Sequence, residues 1–388
     1  MDISKSVLTQ VNLFDSVILL LYLLGIVYIS KKYLNISVNF FYLFITIGLL
    51  HFAFTFLYLN YTLSNVSDSV GYFRRALYIF ENWSDTFGQG SYFIYFILYP
   101  LIHYLELNYF GLFFLFSFLG LIGFHFLFKI TITGNNYKWT RFYFILLLPN
   151  VHFWTVAIGK DSLMFFAICW LSYSYYYRLK FYNLLIPLLL IGFLRIHILV
   201  FIFLSFAITL TFLNKKIGIV NKLLWVFVIL GSIYASSTLI LNRVGIQDIQ
   251  EFGNRIEELQ FVNQGGGSSV DMSDRSILVK WLSFLFRPLF FDAHNLLSVF
   301  ISFENLIWIG ILLKIFLNFR NKIIIERIRF FYWVMIISFI GISIPLSYIL
   351  TNLGIAIRQK VIVFPFMFLS LLIVNSNLKL VKSIKKYE

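Results

Sequence analysis

The chain has 388 residues, of which 60% are hydrophobic and only 12% charged, with a mean hydropathy of +0.86. A soluble domain carries about 45–50% apolar and about 25% charged residues, so a soluble fold of this size has too little polar surface to cover such an interior. The single cysteine, Cys169, excludes a disulfide scaffold, a Cys-ligated zinc site and a CxxC redox centre.

The composition specifies an all-α, polytopic transmembrane helix bundle, read as one integral membrane domain over 1–388. Apolar runs near the roughly 20 residues a spanning helix needs predict eleven spans. They lie at about 14–30, 38–60, 108–129, 142–158, 162–177, 182–194, 197–213, 222–241, 293–317, 330–350 and 360–377. Basic residues fall on every second loop: Lys31 and Lys32, Lys138 and Arg141, Arg178 and Lys180, Lys215, Lys216 and Lys222, then Arg320 to Arg329 and the lysine-rich tail. That alternation puts the N-terminus outside and the C-terminus inside. With Lys129 and Lys314 at inner helix ends, 19 of 31 basic residues lie inside, where only Glu326 and Glu388 of the 17 acids join them. The net charge of +14 is therefore explained by orientation and by attraction to anionic membrane lipids. No nucleic-acid partner is required. The first residues lack a basic n-region and a small-residue cleavage site, so the first span is expected to stay in the mature chain.

Two long segments fall on the outer side. The first, 61–107, holds Asp68, Tyr72, Arg74 and Arg75, and then an apolar stretch with Pro100 inside it. Counting that stretch as a span would move Lys138 and Arg141 outside, so it is read as an interfacial or re-entrant helix interrupted at Pro100. The second, 242–292, opens with Ile246, Ile249, Phe252, Ile256 and Leu259 at three- and four-residue spacing, an amphipathic helix. Gly265–Gly267 follow as a flexible hinge. The helix is either a lid or a surface helix beside a loose loop.

Shorter outer turns carry Lys160 and Asp161, Arg195 and His197, and Arg358, and the stretch before the ninth span carries Arg287 and His294. Glu304 sits inside that span. An ionised side chain near the bilayer centre costs about 2.5–3.5 kcal/mol on insertion scales. Arg195, Arg287 and Glu304 therefore need partners or a wet cavity; mutual ion pairs and an anion-binding cavity both fit. Arginine forks match phosphate oxygens, and a neighbouring carboxylate can take a proton from an attacking hydroxyl. Asp68 is the first candidate for that role, with Asp161 and Glu304 behind it. Tyr72, Arg74, Arg75, Lys160, Arg195, His197, Arg287, His294 and Arg358 are candidate substrate-binding residues. No HExxH, GxSxG, P-loop or GxGxxG pattern occurs, and no metal ligand set is legible. A divalent cation stays open as a cofactor.

Three pieces resemble bacterial enzymes that build surface polysaccharide, the Wzy-like and EpsG-like polymerases and the GT-C membrane glycosyltransferases. The Asp68–Tyr72 segment with its following interfacial helix is similar to the first outer loop of GT-C enzymes, where their catalytic Asp sits. Pro149 to Asp161, through Trp154 and Lys160, resembles a turn common in such proteins. The third piece is Phe286–Asn295 and Glu304 with Asn352–Arg358. One departure is the extra span before the Asp68 loop, which shifts weight toward a polymerase. The resemblance implies a multi-pass protein of the bacterial inner membrane with its active side outward. It would transfer a saccharide from a polyprenyl-phosphate-linked donor to a glycan acceptor, alongside a flippase or chain-length regulator. Repeat-unit polymerase, single-sugar transferase and a transporter or flippase of lipid-linked or anionic solutes all remain open.

Overall fold

The computed structural model describes residues 5–213, 275–293, 296–318, 326–349 and 352–384, with scattered positions between 218 and 272. Among the described residues the regular elements are helices, joined by one isolated bridge between Ser269 and Asn352. The expected span at 222–241, the amphipathic helix at 246–259, the glycine hinge and His294 lie outside the described residues or largely so. The chain divides into two compact units, Met1–Ile196 and His197–Glu388.

The first unit contains α1 (Leu13–Leu34), α2 (Val38–Ser64), α3 (Asp68–Tyr78), α4 (Ser91–His103), α5 (Tyr109–Gly134), α6 (Pro149–Thr155), α7 (Lys160–Tyr176) and α8 (Tyr182–Leu194). To the second belong α9 (Ile196–Leu213), α10 (Ile277–Phe286), α11 (Leu296–Asn318), α12 (Glu326–Ile349) and α13 (Leu353–Ile384). Among the described residues six segments are long and apolar enough to cross a bilayer: α1, α2, α5, α9, Arg329–Tyr348 of α12 and Leu353–Leu372 of α13. The protein is a membrane-embedded α-helical protein. Among the described residues the count is six by length and composition, against the eleven expected over the whole chain.

The differences have local causes. The expected span at 142–158 is not one helix but a 3-10 segment, Arg141–Leu147, followed by the seven-residue α6. Pro149 disfavours helical geometry at the residue before it, and Leu148 is extended (φ −64°, ψ 130°). The same proline then opens α6, where its missing N–H costs nothing. Helices α7 and α8 have 17 and 13 residues, about 26 and 20 Å, against about 39 Å for the 26 residues of α5. The apolar stretch after residue 90 forms α4, too short to span, but Pro100 does not interrupt it. Proline cannot donate to the carbonyl four residues back, and the Trp83 indole N–H takes that Phe96 carbonyl instead, at 2.9 Å. The Trp83 ring stacks on Phe96 at 4.9 Å.

The core of the first unit is aromatic, with Phe44, Phe113, Phe114, Phe124 and Phe128 fully buried along α2 and α5. One carboxylate fixes the start of two helices. Asp15 closes a capping box with Asn12 at the start of α1. It also accepts the backbone N–H and the side-chain amide of Asn108, both at 3.0 Å, at the start of α5. Contacts such as Phe40 to Trp139, and Thr133 Oγ1 to the Tyr177 hydroxyl at 2.6 Å, define the opposite end. There gather Lys31, Lys32, Lys129, Lys138, Arg141, Arg178 and Lys180, while Asp15, Asp68, Glu81, Asp85, Glu106 and Asp161 belong to the end where α5 begins.

In the second unit α13 is the most deeply buried helix, and α10, α11 and α12 pack on it. The Trp281 indole N–H of α10 donates to Ser343 Oγ of α12 at 2.7 Å.

Candidate functional site

The short helices α7 and α8 are met at one end by α3 and α4 of the segment 61–107. Ser69 Oγ of α3 donates to the Ile158 carbonyl at 2.9 Å. The Gly90 N–H donates to the Phe193 carbonyl of α8 at 2.7 Å, and Phe93 stacks on Phe193 at 4.9 Å. The turn 156–159 is thus held by α3, and the end of α8 by α4.

Gly159 is required in this turn. Its φ of +150° is a conformation side chains rarely adopt, and a Cβ would lie 3.0 Å from the Tyr72 ring. The turn delivers Lys160 and Asp161 as the first residues of α7. Asp161 is buried, and Arg195 Nη2 donates to its Oδ1 at 3.2 Å from the end of α8. Both charges sit where a helix dipole favours them, the acid at an N-terminus and the base at a C-terminus. Lys160 is half-buried, with Nζ 3.8 Å from the place a Cβ of Gly90 would take.

Asp68 and Tyr72 are four residues apart and share one face of α3. Tyr72 is buried against Gly159, so Asp68, exposed in the first turn, lies over the same corner. Arg75 donates to the Tyr95 hydroxyl of α4 at 3.2 Å, and that hydroxyl holds the guanidinium above its ordinary value. Tyr72 and Tyr95 pack at 5.9 Å, and Arg74 is half-buried beside them. Seven of the expected residues (Asp68, Tyr72, Arg74, Arg75, Lys160, Asp161 and Arg195) therefore gather in one unit.

The others belong to the second unit, which has its own polar network. Arg287 grips Asp292 through Nε at 2.9 Å and through Nη2, and this pairing holds Arg287 above its ordinary value. Lys360 Nζ of α13 donates to the Arg287 carbonyl at 2.9 Å and to Asn305 Oδ1 at 3.0 Å. Asn305 in turn donates to the Pro288 carbonyl at 2.8 Å. Glu304 is buried and its charge acts on Lys360. Arg358 is half-buried two residues before Lys360 on α13, and His197 is half-buried in the first turn of α9. Arg195, Arg287 and Glu304 thus each meet an opposite charge.

Tyr95, Asp292, Asn305 and the Lys360 bridge were not singled out by residue type. Only the Arg287–Asp292 pair has a local signal, a base and an acid five residues apart around Pro288. Chemically, the first-unit cluster offers a carboxylate over the turn, cations for phosphate oxygens and phenol faces for a sugar ring. No group of three or more His, Cys, Asp or Glu poised for a metal ion occurs among the described residues. The chain matches no protein-family model, and comparison with curated proteins and with solved structures returns no match.

Proposed function

We propose that the protein is a membrane glycosyl-transferring enzyme. It transfers a saccharide from a polyprenyl-(di)phosphate-linked donor to a glycan acceptor, on the outer face of a bacterial inner membrane. A repeat-unit polymerase is the form favoured. The observation that carries this reading is the corner where α3, which begins at Asp68, is tied by Ser69 to the Ile158 carbonyl and by Tyr72 to Gly159, next to Lys160 and Asp161. Asp68 takes the proton from the acceptor hydroxyl as its oxygen bonds to the anomeric carbon of the donor. The bond from that carbon to the phosphate oxygen breaks, and the phosphate leaves with the electron pair. Lys160 and Arg195 neutralise it, while Asp161 orients the Arg195 fork. Tyr72 and Tyr95 give flat faces to a sugar.

The basic end of the first unit supports the orientation, since a cytoplasmic face gathers Lys and Arg. A second reading, transport of an anionic or lipid-linked solute, draws on the buried Glu304 and the half-buried Lys360 within the apolar helices of the second unit.

The test measures polyprenyl-diphosphate-linked glycan in cells lacking the protein, complemented with wild type, Asp68→Asn or Arg195→Ala. Single repeat units trapped at the outer leaflet support a polymerase. A glycan lacking one sugar supports a single-sugar transferase. Intermediates held at the cytoplasmic leaflet, or no change, overturn the enzyme reading.

A further inference from the structure

Two histidines 101 residues apart in sequence meet in the middle of the first unit. His51 lies midway along α2 and His152 on α6, both fully buried, with their Nδ1 atoms 3.0 Å apart. The far nitrogen of each ring is already committed. His51 Nε2 donates to the Ser117 carbonyl at 3.0 Å, and His152 Nε2 donates to the Leu146 carbonyl at 2.8 Å.

Counting protons decides what this arrangement is. A carbonyl oxygen only accepts, so each Nε2 must carry a hydrogen. A neutral imidazole has one N–H, and both are then spent. The two Nδ1 atoms would face each other lone pair to lone pair at hydrogen-bond distance, inside the protein. Two protons leave one of the three contacts repulsive wherever they are placed, whereas three satisfy all of them. We propose that His51 and His152 form a buried proton-binding site, in which a third proton is shared between the two Nδ1 atoms and the pair carries one positive charge.

The surroundings suit a cation. The Phe124 ring stacks on the His152 ring at 4.2 Å and 5°, a π-face that attracts an imidazolium, and Phe54 lies nearly parallel to it at 6.0 Å. Room has been made for it: a Cβ on Gly120 would lie 2.4 Å from the Thr155 carbonyl and 2.9 Å from His51 Nε2. From α5 the pair also meets Ser117, whose hydroxyl bonds Thr55 of α2 at 2.6 Å and the Tyr22 hydroxyl of α1 at 3.2 Å. Tyr22 is the titratable group among these neighbours. His125 on α5 is engaged elsewhere, with its Nδ1 2.7 Å from the Tyr33 hydroxyl. Behind Phe124, Phe165 of α7 closes the shell at 4.9 Å.

The site joins α2 to the segment 146–155, which leads into the Gly159–Asp161 turn. Loss of the shared proton turns an attraction at this junction into a repulsion. This inference stands independently of the glycosyl-transfer reading.

The experiment is nitrogen and proton NMR of the full chain, labelled at histidine and held in lipid nanodiscs at neutral pH. The expected spectrum has one proton coupled to nitrogens of two different rings, and each of those rings also bears a proton on its other nitrogen. His152→Gln abolishes the shared signal and so assigns it; if that variant does not fold, the coupling in the wild type identifies the pair by itself. Absence of a proton coupled to two rings overturns the proposal. So does a pair with that proton but only two protons on its four nitrogens.

Discussion

Arg195, at the end of α8, reaches Asp161, at the start of α7, with Nη2 3.2 Å from Oδ1, and both are largely out of water. Removing one partner of such a pair strands the other charge. Asp161→Ala is expected to lower unfolding stability by about 3–5 kcal/mol. Replacing both residues with apolar ones of similar volume should cost much less. A double-mutant cycle followed by thermal unfolding checks this, and equal losses in the single and double variants would refute it.

Asp68 is exposed in the first turn of α3, so replacing its carboxylate by an isosteric amide removes little packing. Asp68→Asn should therefore leave the melting temperature unchanged while lowering turnover about 10²–10⁴-fold, the range for a general base. Glycan transfer measured in reconstituted membranes decides it. Unchanged turnover removes Asp68 from the chemistry.

Gly159→Ala places a methyl group against the Tyr72 ring and forces a side-chain-bearing residue to φ near +150°. Strain of this kind costs about 1–3 kcal/mol. The expected result is a lower melting temperature together with a larger loss of activity, because Lys160 and Asp161 move with the turn. Tyr72→Ala in the same background should relieve the contact but not the backbone strain.

Arg287→Lys keeps the charge but cannot reproduce the two-pronged grip on Asp292. A loss of about 1–2 kcal/mol is expected, and Arg287→Met should lose more because it leaves Asp292 buried without a cation. Chemical denaturation of the two variants compares them directly. The reverse order would mean that Asp292 finds another partner.

Much of the bundle is readable along the sequence, because a spanning helix announces itself by composition alone. Helices α1, α2, α5, α9, α12 and α13 fall where apolar runs place them, and α4 is short as charge alternation requires. What composition cannot reveal is continuity. The segment 142–158 has the hydropathy of a span, but one proline and its neighbour divide it. The Pro100 kink failed in the other direction, since the distant Trp83 indole satisfies the carbonyl that the proline leaves open. Site residues followed the same rule. The pair Arg287–Asp292 is visible as neighbours, whereas Asp161 to Arg195, Arg75 to Tyr95 and His51 to His152 depend on which helices pack together. His152 looks isolated in sequence for that reason.

The brevity of α8 also matters for the lipid around it. Its 13 residues give about 20 Å of apolar length beside a hydrocarbon layer of about 30 Å. A mismatch of that size is met by bending the membrane inward or by covering the short end with protein. Here α4 covers the end through Phe93 on Phe193, while Leu185, Ile186 and Leu189 stay exposed along the rest of the helix. Where lipid borders that flank, so short a helix would draw the bilayer surface down toward Arg195 at its end.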